Sequence, residues 1–586
     1  MKKWEPSDFQ PEPERPDAST SPPEPSQASD RSEGGEQESA IGPAEIIADA
    51  PSEREGAGPV SDGQQANDVP GLSATGIVPA TPAAGAPMTD RQEVVSFGGA
   101  PTRQTPALRD CVRTLPEAVH RALHVGRDQN DEPFLQINKG NVVHRLRDPA
   151  TRIILGRSMI DAGILLKPAE LQGVIDEIEG YARLYGQQQH VWVGVAPNED
   201  GGIDIDQVGD REGTARVVPG RVDLVAGGTA TLFYRAPRAL RRMWSKGPGD
   251  FYKLLRYLEN LRFQDRRLVA FWVLYVVAHP KVATTVFVHL ILVGPQGGGK
   301  TMLATILKAI IWPSSAGVQP LPRNAVDLAI AATQGHVCAF DNIRSIPLWL
   351  SDLLCLMATS GVITSRTLYS NDGQSVINLH CAVMLTSLHT VVTEADFADR
   401  SLQIYVPPLD AERRRDPAVL MQEFESDLPS IFRGALELIA EIFEQLPLVV
   451  PVNPQRVYRF SHWLAALERI DGVPTGGYQA WYRDALGQVM LDSLHESPLN
   501  VAVLDFVETQ PNGYWSGTAA ELLAALNRAT GRRSSSGGDW PVNEIALSRR
   551  LRASVAAFRT QGIDIRFSKG RVRLITITRV GGAGHE

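Results

Sequence analysis

The stretch Val286-Phe-Val-His-Leu-Ile-Leu-Val293-Gly294-Pro-Gln-Gly-Gly-Gly299-Lys300-Thr301 decides how this 586-residue chain folds. Residues 286–293 are almost continuously apolar and rich in β-branched side chains, the pattern of a strand buried on both faces of a parallel sheet. Residues 294–301 fit G-x-x-x-x-G-K-[ST]. Glycines let backbone N–H groups curl around phosphates without a Cβ in the way. Lys300 then reaches the β- and γ-phosphates, and the Thr301 hydroxyl ligates Mg²⁺. Gly294, Gln296, Gly297, Gly298 and Gly299 supply the backbone of that cradle. A helix over 301–311 follows, with Met302, Leu303, Ile306, Leu307 and Ile310 on one face. Its positive N-terminal end points at the bound anion. Strand, loop and helix in this order predict a nucleotide site for ATP and Mg²⁺.

Such a site needs an acidic residue to hold the metal through water. His336-Val-Cys-Ala-Phe-Asp341-Asn342 supplies a buried strand ending in Asp341, 41 residues beyond Lys300. That spacing leaves room for one helix, a loop and a second strand. Asn342 follows directly; an amide orients water but takes no proton from it. Further on, Ile363-Thr-Ser-Arg366 and Gln374-Ser-Val-Ile-Asn-Leu flank Asn371-Asp372-Gly373, a tight-hairpin signal. A third buried strand, Cys381-Ala-Val-Met-Leu, ends in Thr386-Ser387, and Asp399-Arg400 leads into Ser-Leu-Gln-Ile-Tyr-Val-Pro-Pro.

This order resembles superfamily 3 helicases, the AAA+ motors of phage, plasmid and small-virus replication. It is more similar still to the ATP-binding primase/helicase-like proteins of prophages and mobile elements. There, stretches such as Pro322-Arg323, Asp327-Leu-Ala-Ile-Ala-Ala, Phe340-Asp341-Asn342, Pro347-Leu-Trp-Leu-Ser351-Asp352 and Arg366-Thr-Leu-Tyr read much the same. The resemblance covers about residues 250–410, and more loosely 106–248 and 490–580. It implies Lys300 and Thr301 on phosphate and Mg²⁺, Asp341 on Mg²⁺, and Thr386 or Ser387 as a polar sensor near the γ-phosphate. It also implies Arg400 as an arginine finger on a neighbouring subunit's nucleotide. The motor would then be a homo-oligomeric ring, a hexamer. An arginine finger stabilises charge on the transferred phosphoryl group and is worth ~10³–10⁵ in rate. The hairpin 367–380 corresponds to the DNA-contacting element of such rings, yet its tip, Ser370-Asn-Asp-Gly-Gln, has no Lys or Arg. The sensor Asn of superfamily 3 is also absent, Thr386 or Leu388 standing in its place.

Outward from this core, residues 106–248 read as a small α+β domain. Phe134–Asn138 and Asn141–Leu146 alternate as strands, and Leu171–Leu184 has helical spacing through Leu171, Val174, Ile175, Ile178 and Tyr181. In Ile203-Asp-Ile-Asp, Asp204 and Asp206 share one strand face, either an exposed face or a Mg²⁺ pair. Residues 249–281 read as helical and are stopped by Pro280, residues 249–410 as the ATPase core, and 411–490 as a helical lid or linker. Residues 491–580 are basic: 526–580 hold 12 Lys+Arg against 3 Asp+Glu. Within them an amphipathic helix from Asn543 to Phe558, with Ile545, Leu547, Leu551 and Val555 inward, precedes a hairpin across Ser568-Lys-Gly. Helices followed by a basic hairpin outline a winged helix. Arg549, Arg550 and Arg552 would read DNA, and Arg566, Lys569, Arg571 and Arg573 would hold phosphates.

Residues 1–100 carry 6 Lys+Arg, 18 Asp+Glu and 14 Pro. Such a stretch buries too little apolar surface to offset its ordering entropy, and 1–105 reads as a disordered acidic tail. The tail accounts for the net charge of −9; the remainder is slightly positive. The longest apolar run, Leu268–Ala278, is too short for the ~20 residues of a membrane span. Four cysteines without a C-x-x-C pair indicate neither zinc nor a disulfide framework and fit a reduced, cytoplasmic protein. The fold expected is therefore α/β: a P-loop AAA+ core with a parallel sheet, preceded by an α+β domain and followed by a winged helix. The function expected is an ATP-dependent DNA motor of a phage or mobile element, acting in replication. Two alternatives stand beside it: a nucleotide-gated DNA-binding initiator or regulator without unwinding, favoured by Asn342 and the acidic hairpin tip, and an accessory ATPase in phage defence.

Overall fold

A computed structural model describes residues 106–138, 140–209, 213–226, 229–359, 361–366, 374–392, 394–531, 540–568 and 573–579. The expected tail, the hairpin tip and two of the expected DNA contacts, Lys569 and Arg571, lie outside these residues.

At the centre is a five-stranded sheet in which every neighbouring pair runs parallel. In chain order its strands are β1 (His289–Val293), β2 (Gln319–Pro320), β3 (Val337–Ile343), β4 (Ala382–Ser387) and β5 (Ser401–Tyr405), and in space the order is β2-β3-β4-β1-β5. Parallel strands all end at one edge, so Val293, Asp341, Ser387 and Tyr405 come out on the same side. Every residue of β1 is buried, as a strand covered on both faces requires. The apolar run becomes strand only at His289 because the preceding carbonyls serve the helix Phe263–Ala278: Tyr275 Oη donates to Val286 O and Trp272 Nε1 to Val288 O, both at 2.7 Å. That helix is the longest apolar run of the sequence. It is buried on all sides from Leu268 to Ala278, so it forms part of the interior and has no solvated face.

His289 locks β1 to its surroundings. Its Nε2 lies 2.8 Å from Leu354 O, and its Nδ1 accepts from the Val383 N–H at 3.1 Å, which fixes a neutral tautomer with the proton on Nε2. Burial pushes its pKa down to about 4.

Two antiparallel strands, Val362–Arg366 and Gln374–Asn378, pair from Val362 with Asn378 to Arg366 with Gln374, as the Asn-Asp-Gly signal predicts. After β5, the chain runs through helices Pro417–Gln445, Tyr458–Asp471 and Gly477–Glu496. The last of these belongs to three interiors. Tyr478 and Tyr482 are buried among Phe271 and Phe460, Val489 joins the apolar cluster over the sheet, and Leu494 joins the C-terminal cluster. Only Ser497 separates it from the next helix, Pro498–Glu508.

The C-terminal region adds helices Ala519–Thr530 and Glu544–Thr560 and a three-stranded antiparallel sheet, Tyr514–Thr518, Leu574–Arg579 and Ile563–Phe567 in spatial order. The expected hairpin is present; strand Tyr514–Thr518 was not expected. One face of the arginine-rich helix differs from expectation. Leu547 and Leu551 are fully buried, but Ile545 is 75% exposed. At about 100° per residue, Ile545 lies on the opposite side from Leu547, and the inward stripe runs on to Phe558.

Residues 106–248 form two sheets. One has six strands in the order Gln187–Gln188, Leu123–Arg127, Pro133–Ile137, Val142–Arg145, Leu232–Tyr234 and Val191–Trp192, covered by helices Pro149–Asp161 and Pro168–Tyr185. The other is a four-stranded meander from Val195 to Val225. Asp204 and Asp206 belong to the meander, and both readings made of them are corrected. They are neither exposed nor aimed at a metal. Asp204 accepts from Arg216 Nε at 3.0 Å, Arg216 Nη2 at 3.2 Å and Thr231 Oγ1 at 2.9 Å. Asp206 accepts from Arg235 Nε at 2.7 Å and Nη2 at 2.8 Å. Buried carboxylates need such partners, and forked guanidinium groups saturate both. Among the described residues no helix is long and apolar enough to cross a membrane.

Candidate nucleotide site and basic C-terminal face

The site is built at the C-terminal edge of the parallel sheet. Gly294 follows β1 so closely against the strap after β5 that a Cβ there would lie 2.1 Å from Val406 O. Gly297 and Gly299 take φ of +82° and +80°, which a side chain would strain, and Gly299 caps the helix Lys300–Ile311. The loop therefore needs glycine for backbone reasons before any ligand is considered. Asn260 Nδ2 steadies it by donating to Gly298 O at 2.9 Å. Lys300 folds back over the loop, its Nζ donating to Gly294 O and Pro295 O, each at 2.7 Å. Partial burial lowers its pKa, opposed by the Asp341 charge. An incoming phosphate offers this ammonium a stronger acceptor than two carbonyls.

Facing the loop, β3 bulges. Its register with β4 slips between Phe340 and Ile343, and Asn342 takes φ +58°, a conformation that Asn tolerates better than most residues. The bulge turns Asp341 toward Thr301, whose Oγ1 lies 3.1 Å from both carboxylate oxygens. Thr386 on neighbouring β4 donates its hydroxyl to Asp341 Oδ1 and accepts from the Asn342 N–H at 2.9 Å. Of the two candidate sensors, Thr386 therefore meets the acid. Ser387 is turned to the carbonyls of Ile343 and His389, at 2.9 and 2.6 Å. Gln296, Lys300, Thr301, Asp341, Asn342 and Thr386 line a cleft of about 320 Å³. Its donors suit Mg²⁺: hard oxygens, one carboxylate and one hydroxyl, with room for phosphate oxygens to complete the shell.

A second cleft of about 580 Å³ adjoins the loop at Gly298 and Gly299. It is walled by Tyr257, Asn260, Leu409 and Leu420 and rimmed by Arg413 and Arg415. Its walls come from three distant stretches of chain, so sequence patterns gave no sign of it. Arg414 was likewise missed, although the run Arg413-Arg414-Arg415 was visible; nothing local ties it to a loop more than a hundred residues earlier.

Arg400 lies just before β5, whose start pairs with the start of β1; it is thus at the edge of the sheet opposite its own glycine loop 294–299. Its side chain is 11% exposed and pairs with Asp396 Oδ1 at 2.6 Å. Arg456 reaches the same oxygen at 2.6 Å. Burial raises the Asp396 pKa, but hydrogen bonds from Arg400 and the Cys355 thiol, with the charges of Arg400 and Arg456, outweigh it and hold the carboxyl below its usual range.

The basic residues of the C-terminal region divide between two elements. On helix Glu544–Thr560, Arg549 and Arg552 are exposed, and Arg552 lies with its guanidinium carbon 4.1 Å from the Phe567 ring centroid. Arg550 is half-buried because this helix also packs on helices Ala395–Ala398 and Gly477–Glu496. Of the three arginines expected to read DNA from this helix, Arg550 is thus partly taken into the fold. Burial raises the Glu394 pKa there, while Arg550 and Arg549 pull it down. On the hairpin, Arg573 is exposed, and Arg566 is exposed and pairs with Asp564 at 2.5 Å.

Comparison with solved structures finds two apo structures of the NrS-1 C-terminal region. They are 13% and 12% identical, with TM-scores of 0.35 and 0.34, and each alignment covers 81% of this chain and 98% of that one. A small-molecule complex of JCV helicase is 16% identical over 41% of this chain and 71% of that one, with a TM-score of 0.19. No curated protein matches the chain. Family models do: residues 253–492 match the actinomycete integrative conjugative element replication protein, and residues 499–584 match the RepA C-terminal domain of those elements. Matched by the two over more than half of its length, the chain belongs to the replication proteins of actinomycete integrative conjugative elements.

Proposed function

We propose that this replication protein is an ATP-driven DNA motor of the AAA+ class. The observation that carries the reading is the meeting of Lys300, Thr301, Asp341 and Thr386 around one cleft, at the ends of β1, β3 and β4 in a parallel sheet of order β2-β3-β4-β1-β5. The loop N–H groups and the helix end bind the triphosphate, Lys300 exchanges its carbonyl partners for phosphate oxygens, and the adjoining larger cleft takes the nucleoside. Thr301 and Asp341 would hold Mg²⁺, which when bound neutralises charge on the β- and γ-phosphates. Thr386 keeps Asp341 pointed at the metal. Arg400 serves a neighbouring subunit's nucleotide in a ring, a hexamer, once its pairing with Asp396 is exchanged for phosphate. The C-terminal region has the helix and strand order of a winged helix, and Arg549, Arg550, Arg552, Arg566, Lys569, Arg571 and Arg573 bind duplex DNA through it.

In the full chain, Lys300→Ala abolishes DNA-stimulated ATP turnover, measured by phosphate release. Unchanged turnover in this variant would refute the reading.

Asn342 favours a second reading. Standing where a catalytic Glu is common in AAA+ enzymes, it orients water but accepts no proton, so hydrolysis is slow and the nucleotide gates DNA binding. Strand displacement on forked DNA separates the two: the motor displaces, whereas the gated binder retains DNA without displacing.

A further inference from the structure

The strap that follows β5 runs directly over the phosphate loop. The Val406 N–H donates to Val293 O at 2.7 Å, and the Leu409 N–H to Gly297 O at 3.4 Å. Pro407 O would lie 2.9 Å from a Cβ on Gly298. The strap then returns Arg414 to the loop: its Nη2 would be 3.7 Å from a Cβ on Gly297, and its Nε donates to Leu409 O at 3.3 Å.

The arginines of this region differ in what they already hold. Arg400 is paired with Asp396, and Arg415 with Glu423. Arg414 forms no ion pair with a carboxylate among the described residues. One backbone carbonyl occupies its Nε, and its outer nitrogens remain available beside Gly297, which also lines the cleft of Lys300 and Thr301. A guanidinium in that position complements a phosphate fork, whereas Lys300 acts as a point charge.

We infer that Arg414 is a phosphate-binding residue for the nucleotide held by its own subunit, delivered by the strap Val406–Arg415. The inference rests on the nucleotide reading above. It gives the strap a role, since nucleotide entering the loop draws Arg414 in and tightens residues 406–415 over it. It also divides the work between two arginines: Arg414 acts within the subunit, and Arg400 acts on a neighbour.

The test uses the full chain and four proteins: wild type, Arg414→Ala, Arg414→Lys and Lys300→Ala. Affinity for a fluorescent ATP analogue, KM and kcat for ATP, and DNA affinity without nucleotide are measured. Arg414→Ala is expected to weaken ATP binding on the order of ten- to hundred-fold, the range for a lost charge-assisted hydrogen bond. KM rises in parallel, and DNA affinity without nucleotide does not change. Arg414→Lys recovers part of the loss, because charge returns without the fork. Wild-type ATP binding by Arg414→Ala alongside failed binding by Lys300→Ala overturns the role of Arg414 and leaves the phosphate loop standing. Wild-type binding by both variants overturns the nucleotide reading itself. Loss of DNA affinity in Arg414→Ala would mark general misfolding of that variant, and the KM of Arg414→Lys then decides: an unchanged value overturns the inference, a raised one upholds it.

Discussion

Replacing Thr386 by valine keeps the shape of the side chain and removes one hydroxyl. That hydroxyl donates to Asp341 and accepts from the Asn342 N–H at 2.9 Å, in a position 1% exposed. A hydrogen bond to a charged group contributes about 1.5–3 kcal/mol. The valine offers no compensating partner to either neighbour, so local closure of the β3 bulge weakens by that amount. Converted at 1.4 kcal/mol per factor of ten, the Asn342 amide should exchange its hydrogen about 10- to 150-fold faster than in the wild type. The functional cost is separate: Asp341 loses the partner that orients it, and outer partners of metal-holding groups are typically worth about 10–100-fold in metal affinity or activity. Hydrogen exchange at Asn342 and the Mg²⁺ dependence of ATP turnover read the two effects, and Thr386→Ser restores both. Wild-type exchange at Asn342 together with wild-type Mg²⁺ dependence in Thr386→Val would show that the hydroxyl does nothing for the acid.

Two further outcomes follow from buried charge. Asp206→Ala leaves Arg235, only 15% exposed, without this carboxylate, and should cost about 3–5 kcal/mol in urea unfolding of the region with or without Mg²⁺; a variant as stable as the wild type would contradict the stabilising role of this pair. Burial lowers His279, His289 and His380 to about 4 and His336 to about 3. The unfolded chain binds protons on these groups from about pH 6.5 downward while the folded chain does not, so stability falls as pH drops from 6.5 toward 4. A urea midpoint that stays flat between pH 7 and 5 would contradict the burial of these imidazoles as neutral groups.

The parts of this fold legible in the sequence are those whose cause is local. β1 announces itself by an unbroken β-branched run, the phosphate loop by glycines at fixed offsets, and the hairpin by Asn-Asp-Gly. The strand that carries Asp341 was legible as an apolar run closed by an acid, and the structure brings that acid to Thr301. The remainder depends on chain that is distant in sequence. Asp204 and Asp206 look like a free acidic pair until Arg216 on the neighbouring strand and Arg235, from beyond the meander, are brought to them. Ile545 looks like core because the sequence does not say where the inward stripe begins. Strand Tyr514–Thr518 is short and polar at its edge, and becomes a strand only by pairing with Leu574–Arg579. Arg414 gains a neighbour at Gly297 only because β5 lies beside β1.

The helix Gly477–Glu496 has a mechanical consequence. Its 20 residues span about 30 Å at 1.5 Å per residue, and it is clamped at one end by aromatic rings and at the other by the interior of the C-terminal region. With Gln403 of β5 bonded to its Asp492 at 3.0 Å, it also touches the strand that starts the strap. A tilt of about 10° about the clamped end would sweep the far end through about 5 Å, given that rise per residue. With no loop between it and the helix that follows, the sweep is passed on whole. A shift of an ångström or two where Gln403 holds Asp492, four residues from the end of the helix, would thus reach the start of the C-terminal region at about the same size.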